Sequence, residues 1–158
     1  MTEVRIEVAE DHHVDQLSPL VREQDAQEMW VAFRKTPEAG LRLSLHTAMM
    51  AWAGYIDDEI VCMFGISPSN VLLGRAAPWF VASEGITQHQ VAFLRRCKPI
   101  VSDMLDMYPH LENWVWEDNR LAKRWLRWLG FELQAAEPFG FERRPFHRFE
   151  MRAHRNVY

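Results

Sequence analysis

The segment from Val81 to Gln88 has the pattern of a strand that leads through a turn into a helix, and such a junction can bind an anion. Backbone N–H groups at a helix start, together with the helix dipole, attract phosphate groups. Glu84 lies in the same turn and would repel a polyanion, and Thr87 and Gln90 have the spacing of a capping box.

A second candidate segment runs from Asn119 to Phe131 and reads Asn-Arg-Leu-Ala-Lys-Arg-Trp-Leu-Arg-Trp-Leu-Gly-Phe. It predicts a helix of about three turns that begins after Asn119, ends at Gly130 and leads into a strand. The Asn119 side chain has two interpretations, a plain helix cap and a ligand contact. Trp125 and Trp128 are three residues apart and share one helix face, so we expect at least one to pack against a sheet.

One set of positions resembles the last helix of the GNAT acyltransferase superfamily: Asn119, Ala122, Gly130 and Phe131. This resemblance implies acetyl-CoA as the cofactor, with its pyrophosphate on the backbone N–H groups from Gly85 to Gln88. The binding residues that the resemblance implies are Val81, Ala82, Gly85, Ile86, Thr87, Gln88 and Asn119. The family has a Gln/Arg-x-x-Gly-x-Gly/Ala motif after its fourth strand. In this chain Gly85 is the one glycine of that region, and the motif itself is absent.

The same resemblance bears on catalysis. Active GNAT enzymes often have a tyrosine seven residues after the asparagine, where it protonates the departing thiolate. In this chain that position is Leu126, which cannot transfer a proton. We therefore expect coenzyme A to bind weakly or not at all, and the sequence identifies no catalytic residue.

Four short segments are similar, in letters and order, to GNAT-like proteins of short-tailed bacteriophages, known as internal virion proteins or phage acetyltransferases. They are Phe93-Leu94-Arg95-Arg96, Tyr108-Pro109-x-Leu111-x-Asn113, Arg124-Trp125-Leu126-x-Trp128-Leu129-Gly130-Phe131 and Arg144-Pro145-Phe146-His147-Arg148-Phe149-Glu150-Met151. The resemblance implies a role in virion assembly or host-target binding, with catalysis weakened or lost. The alternative is an active acetyl-CoA-dependent N-acetyltransferase. The implied location is the host bacterial cytoplasm, with later packaging in the virion.

Three further groups have simpler interpretations than a functional site. His12 and His13 stand among acidic residues at a helix start, where acids suit the dipole, so we expect no metal. His89 is interpreted as a surface residue rather than a base. Residues 143–155 alternate arginine with aromatic residues, and alternation favours a strand, with Phe146 toward the core, over nucleic-acid binding.

The composition is that of a soluble globular protein with uneven charge. The chain has 158 residues, 48% of them hydrophobic, which suits one domain, 1–158, with a substantial core. Its net charge is −4, but residues 119–155 hold nine Lys/Arg and four Glu (+5), against nine Lys/Arg and eighteen Asp/Glu elsewhere (−9). This asymmetry predicts a phage or host protein partner, or a second copy of the chain, docking on a basic face. The candidate residues of that face are Arg143, Arg144, Arg148 and Arg152.

The pattern of apolar residues predicts the order β, α, α, β, β, β, α, β, α, β, β, with residues 11–33 as a single helix. Pro99 falls inside a long helix and predicts a kink. Cys62 and Cys97 have the apolar surroundings of buried free thiols, the first twenty residues predict no signal peptide, and no apolar run reaches the length of a membrane span. We expect an α/β fold: a GNAT-like mixed sheet of about six or seven strands with helices on both faces.

Overall fold

One mixed sheet of seven strands organises residues 2–153, the part of the chain that the computed structural model describes. The strands are β1 (Val4–Val8), β2 (Met50–Ile56), β3 (Glu59–Asn70), β4 (Arg75–Ala82), β5 (His110–Trp116), β6 (Glu132–Phe139) and β7 (Arg144–Arg152). The helices are α1 (Asp11–Leu17), α2 (Glu23–Phe33), α3 (Pro37–Thr47), α4 (Gln90–Met107) and α5 (Arg120–Leu129). The strand order is β1-β2-β3-β4-β5-β7-β6, which confirms the expected mixed α/β sheet.

Helices cover both faces of the sheet. Met63 of β3 packs with Val14 of α1 and with α3, whereas its neighbours Cys62 and Phe64 pack with Phe93 of α4. Successive side chains of a strand point to opposite faces, so α1 and α3 lie on one side and α4 on the other. None of the helices in residues 2–153 is long and apolar enough to cross a membrane.

The sheet opens between β4 and β5. These two strands are parallel, while the other neighbouring strands are antiparallel. They pair only where residues 75–76 meet residues 110–111, and beyond that point the two strands share no further pairing. The Asn113 amide donates a hydrogen bond across the gap to the Pro78 carbonyl oxygen at 2.9 Å. The gap gives this sheet an internal opening near the C-terminal ends of both strands.

The prediction of one helix over residues 11–33 is wrong. Pro19 lies in a 3-10 turn after α1, since a proline cannot donate the hydrogen bond that would continue the helix. Val21 then forms an isolated β-bridge with Ser83, and the Arg22 N–H donates to the Ala82 carbonyl oxygen at 2.8 Å. The break therefore brings the start of α2 to the end of β4.

The predicted capping box before α4 is also wrong. Residues 84–89 form a 3-10 turn, in which the Thr87 hydroxyl donates to the Glu84 carbonyl oxygen at 2.8 Å, and α4 begins only at Gln90. The helix continues through Pro99 to Met107. The prediction that Gly130 ends α5 is confirmed, with φ 105°, a value that favours glycine. At the start of α3, Thr36 caps the helix by accepting a hydrogen bond from the Ala39 N–H.

Candidate functional site

A cavity of ≈ 380 Å³ fills the opening between β4 and β5. Its strand walls are residues 77–81 of β4 and 113–115 of β5. Helices of both faces complete the lining, with Met29 and Phe33 from α2 and Trp125 and Leu126 from α5. The lining is mainly apolar, and the cavity extends through the sheet from one face to the other.

A buried ion pair closes the wide end of this opening. The Arg22 Nη1 donates to Asp25 Oδ1 at 2.9 Å, and both side chains are almost fully buried. Asp25 Oδ2 accepts a hydrogen bond from the Ala82 N–H at 3.0 Å, and its Oδ1 accepts one from the Asn119 amide at 2.9 Å. Asp25 thus joins α2, the end of β4 and the start of α5. Burial raises the pKa of Asp25, and the neighbouring Arg22 opposes that shift.

Asn119 does not cap α5, so its interpretation as a plain helix cap is wrong. The residue occupies the cap position and is 0% exposed, but its side chain makes no capping hydrogen bond. Its amide nitrogen instead donates to Asp25, and its Oδ1 accepts no hydrogen bond within residues 2–153. Its role as a cofactor contact stays a prediction.

Glu28 lies one turn after Asp25 and reaches the same cavity. Its Oε1 accepts a hydrogen bond from the Trp116 N–H at 2.7 Å, with the Asn119 amide at a longer 3.5 Å. Burial first, and then the neighbouring Asp25 carboxylate, raise the pKa of Glu28 from 4.5 to about 8. A group with this pKa holds a proton at neutral pH and can release it, a property that buried carboxyl groups often have at functional sites.

This pKa predicts that the chain loses stability between about pH 4.5 and about pH 8. In that interval the folded state holds a proton on Glu28 that the unfolded chain releases, so raising the pH favours unfolding. The loss should be on the order of 2–4 kcal/mol, reduced from the full shift because Glu28 is only half-buried. Urea denaturation across this pH range measures it.

Glu28→Gln removes the titrating group and should flatten this part of the pH profile. Glu23→Gln is the matched control, since Glu23 is an exposed residue of the same helix. Its profile should follow the wild type. Parallel profiles for wild type and Glu28→Gln would contradict the assignment of the proton to Glu28.

The segment expected to bind pyrophosphate does not form the predicted helix start at Thr87. Val81 and Ala82 end β4, and Val81 lines the cavity, but residues 85–88 lie in the 3-10 turn and outside the cavity. Ile86 is a core residue, and its N–H donates to the Ser83 carbonyl oxygen at 3.3 Å. Gly85 does not have a positive φ, so its conformation does not require glycine. The turn therefore lacks the glycine-dependent backbone of a phosphate loop.

A surface depression of ≈ 310 Å³ lies beside this turn. Its walls include two acidic side chains, Glu84 and Asp118, and two basic ones, Arg22 and Arg120. Arg22 is already paired with Asp25. The depression therefore has no excess of positive charge, and the contact of residues 85–88 with a cofactor stays a prediction.

The sequence analysis missed Arg22, Asp25 and Glu28, the three polar residues that meet at the opening. Their spacing of three places them on one face of α2, which has the pattern of a solvated face. No signal in the sequence of α2 indicates their burial, because the burial of Asp25 depends on contacts with Ala82 and Asn119, which lie far along the chain.

The other candidate groups have structural roles. His13 is buried, its Nδ1 accepts from the Glu10 N–H at 2.8 Å, and its Nε2 lies 2.8 Å from Glu7 Oε1. Both ring nitrogens are thus engaged within the protein, so Nε2 carries the proton. His89 is half-buried in the 3-10 turn. The expected absence of a metal stays a prediction.

The predicted basic face is not a row of unpaired arginines. Arg148 Nη1 contacts Glu112 at 3.0 Å and Glu150 at 3.3 Å, and Arg152 lies 4.0 Å from Glu150. Glu150 stands between the two arginines on the same side of β7, so acids neutralise much of this face. Phe146 is buried, as the strand interpretation predicts.

Comparison of the sequence with models of known protein families and with curated proteins finds no match. Solved structures do match. A Bacillus subtilis acetyltransferase in complex with CoA has a TM-score of 0.63 at 14% identity, covering 96% of this chain and 99% of that one. The Escherichia coli ribosomal-protein-S18-alanine N-acetyltransferase has a TM-score of 0.67 at 15% identity, covering 99% of both chains.

An acetyltransferase of the GNAT family from Streptococcus pneumoniae has a TM-score of 0.66 at 10% identity, covering 96% of this chain and 100% of that one. Identities this low carry information on the fold and leave the activity open. The similarity extends over nearly the whole chain and agrees with the seven-stranded sheet that opens between β4 and β5. The chain has the fold of the GNAT acetyltransferases.

Proposed function

We propose that this chain is a phage-encoded GNAT-fold protein that acts in virion assembly or by binding a host target, with its catalysis weakened or lost. The observation that carries the loss of catalysis is the Arg22–Asp25 pair at the end of β4. The resemblance of four short segments to phage GNAT-like proteins supports the phage role. The partner is a phage or host protein or a second copy of the chain, in the host cytoplasm or in the virion.

Arg22 and Asp25 engage the backbone groups of Ala82 that face the opening at the end of β4. The Ala82 N–H donates to the Asp25 carboxylate, and the Ala82 carbonyl oxygen accepts from the Arg22 backbone N–H. A ligand that pairs with Ala82 must first break these bonds. Displacing Asp25 from the Ala82 N–H leaves a buried carboxylate oxygen without its donor, which costs about 1–3 kcal/mol and lowers the affinity by about one to two orders of magnitude.

Calorimetry with acetyl-CoA tests whether the Arg22–Asp25 pair prevents the cofactor from binding at the end of β4. We expect no binding at micromolar concentrations. The double variant Glu84→Gln/Asp118→Asn removes the two acids beside the turn and should still bind weakly, because the ion pair remains. Sub-micromolar affinity of the wild type would overturn the proposal, and tight binding by the double variant alone would assign the obstacle to the surface acids.

The phage role is tested in infected cells with the same protein. A tagged chain should co-purify with a defined phage or host protein, or appear in purified virions. Absence from both, together with tight acetyl-CoA binding, would favour the alternative function.

That alternative is an acetyl-CoA-dependent N-acetyltransferase. The observation that favours it is Glu28, a carboxyl group in an apolar cavity whose pKa of about 8 suits proton transfer near neutral pH. The matching Bacillus subtilis structure contains CoA. In this chain the cofactor would have to displace Asp25 from the Ala82 N–H, so the calorimetric experiment distinguishes the two functions.

A further inference from the structure

Glu28 gives the cavity one polar group that the protein leaves partly unused. Both hydrogen bonds to its carboxyl group, from the Trp116 N–H and the Asn119 amide, go to Oε1. Oε2 makes no hydrogen bond within the described residues 2–153, and it is not among the fully buried unpartnered atoms. Trp79 Nε1 and Asn119 Oδ1 line the cavity and also lack partners, but both atoms are fully buried, so Oε2 is an unpartnered polar atom that a molecule in the cavity can reach.

The remainder of the cavity is suited to an apolar molecule. On the α4 and α5 side its lining includes Leu94, Ile100, Met104, Leu126 and Leu129. On the opposite side Phe33 and Leu43 line the cavity and are also exposed, at 60% and 51%, which places an entrance between α2 and α3. The entrance is thus separate from the end of β4 that the ion pair closes.

We propose that this cavity binds an uncharged apolar molecule with one hydrogen-bond acceptor, a ketone or ester carbonyl, which accepts a hydrogen bond from the Glu28 carboxyl group. The proposal concerns a ligand other than coenzyme A and does not depend on the proposed function. The apolar walls select the body of the molecule, and Glu28 selects its single polar group.

The groups in contact with Glu28 carry no net charge, which favours a neutral group at this end of the cavity. Lys35, half-buried between α2 and α3, is a charged residue elsewhere in the lining. Asp25 of α2 and Arg22, the residue before α2, form a pair whose charges cancel. From β5 and the start of α5, the Trp116 N–H and the Asn119 amide donate to Glu28. The other titratable groups that line the cavity are Lys35 and Cys97, and burial raises the pKa of the Cys97 thiol to about 12. With its own pKa of about 8, Glu28 is a donor at neutral pH.

Three probes with one carbon skeleton test the proposal: propiophenone, propylbenzene and 1-phenylpropylamine. Calorimetry at neutral pH should show the ketone binding about five- to tenfold more tightly than the hydrocarbon, the usual gain from one neutral hydrogen bond. The ammonium compound should bind most weakly. Above about pH 8 the ketone should lose its advantage, because an ionised carboxylate cannot donate.

Two variants test whether the probes bind in this cavity and whether Glu28 donates to the ketone. Glu28→Gln keeps a donor, so it should retain the preference for the ketone and lose the pH dependence. Leu126→Trp fills the cavity and should weaken the ketone and the hydrocarbon together by tenfold or more. Val91→Trp, at an exposed position of α4 outside the cavity, is the matched control and should change neither affinity.

Equal affinities for ketone and hydrocarbon would overturn the proposal. So would a preference for the ammonium compound that grows above about pH 8, since that would identify Glu28 as the partner of a cation. Unchanged affinities in Leu126→Trp would place the ligand elsewhere. If Leu126→Trp does not fold, the pH profile of Glu28→Gln decides the question.

Discussion

Asp25→Ala should lower the free energy of unfolding by about 3–5 kcal/mol, because it leaves the Arg22 guanidinium buried without its carboxylate. The same change removes the acceptor of the Ala82 N–H and of the Asn119 amide. Each buried donor left without a partner adds its own cost. Urea denaturation followed by far-ultraviolet circular dichroism measures the loss.

The double variant Arg22→Met/Asp25→Asn is the control for charge. It removes both charges together, and the amide group that replaces the carboxylate still offers one oxygen as acceptor. Since replacing a buried pair by uncharged groups of similar volume is often close to neutral, the double variant should lose less stability than Asp25→Ala. A cost below about 1 kcal/mol for Asp25→Ala would mean that the pair does not join α2 to the sheet.

The fold was predictable from the sequence because its signals are local. The helix from Arg120 to Leu129 follows from apolar spacing and from Gly130, whose positive φ is a position that glycine favours. The order of helices and strands is also a matter of pattern along the chain. Where the pattern was ambiguous the prediction failed, as at Pro19, which was absorbed into one long helix although it ends α1.

The candidate site was predictable only in part, because its contacts join residues far apart in the chain. Asp25 and Asn119 are 94 positions apart, and Asp25 and Ala82 are 57 apart. No spacing rule connects such pairs. The capping rule predicted that the Asn119 side chain caps α5, whereas it binds Asp25. An asparagine side chain can make either contact, so the residue type alone does not distinguish them. The sequence does show that the glycine motif is absent and that Leu126 occupies the position of the family's tyrosine. The first observation concerns cofactor binding, and the second concerns catalysis.

Trp125→Ala should also cost about 3–5 kcal/mol, whereas Trp128→Ala should cost less than about 1 kcal/mol, although the two residues are one turn apart on α5. Trp125 is 6% exposed and packs against Phe80 and Leu94 in the core, while Trp128 is 41% exposed. The Trp125 Nε1 donates to Gln90 Oε1 at 2.7 Å, so Trp125→Phe should cost an intermediate amount by leaving that oxygen without its donor.

The Trp125 ring also connects the core to the ion pair. The Arg22 guanidinium lies over this ring, 5.3 Å from its centroid, an arrangement that stabilises a buried cation. Trp125→Ala and Asp25→Ala therefore disturb the same guanidinium, and the double variant should lose less than the sum of the two single losses. Full additivity in urea denaturation would contradict this coupling. Equal costs for Trp125→Ala and Trp128→Ala would contradict the assignment of Trp125 to the core.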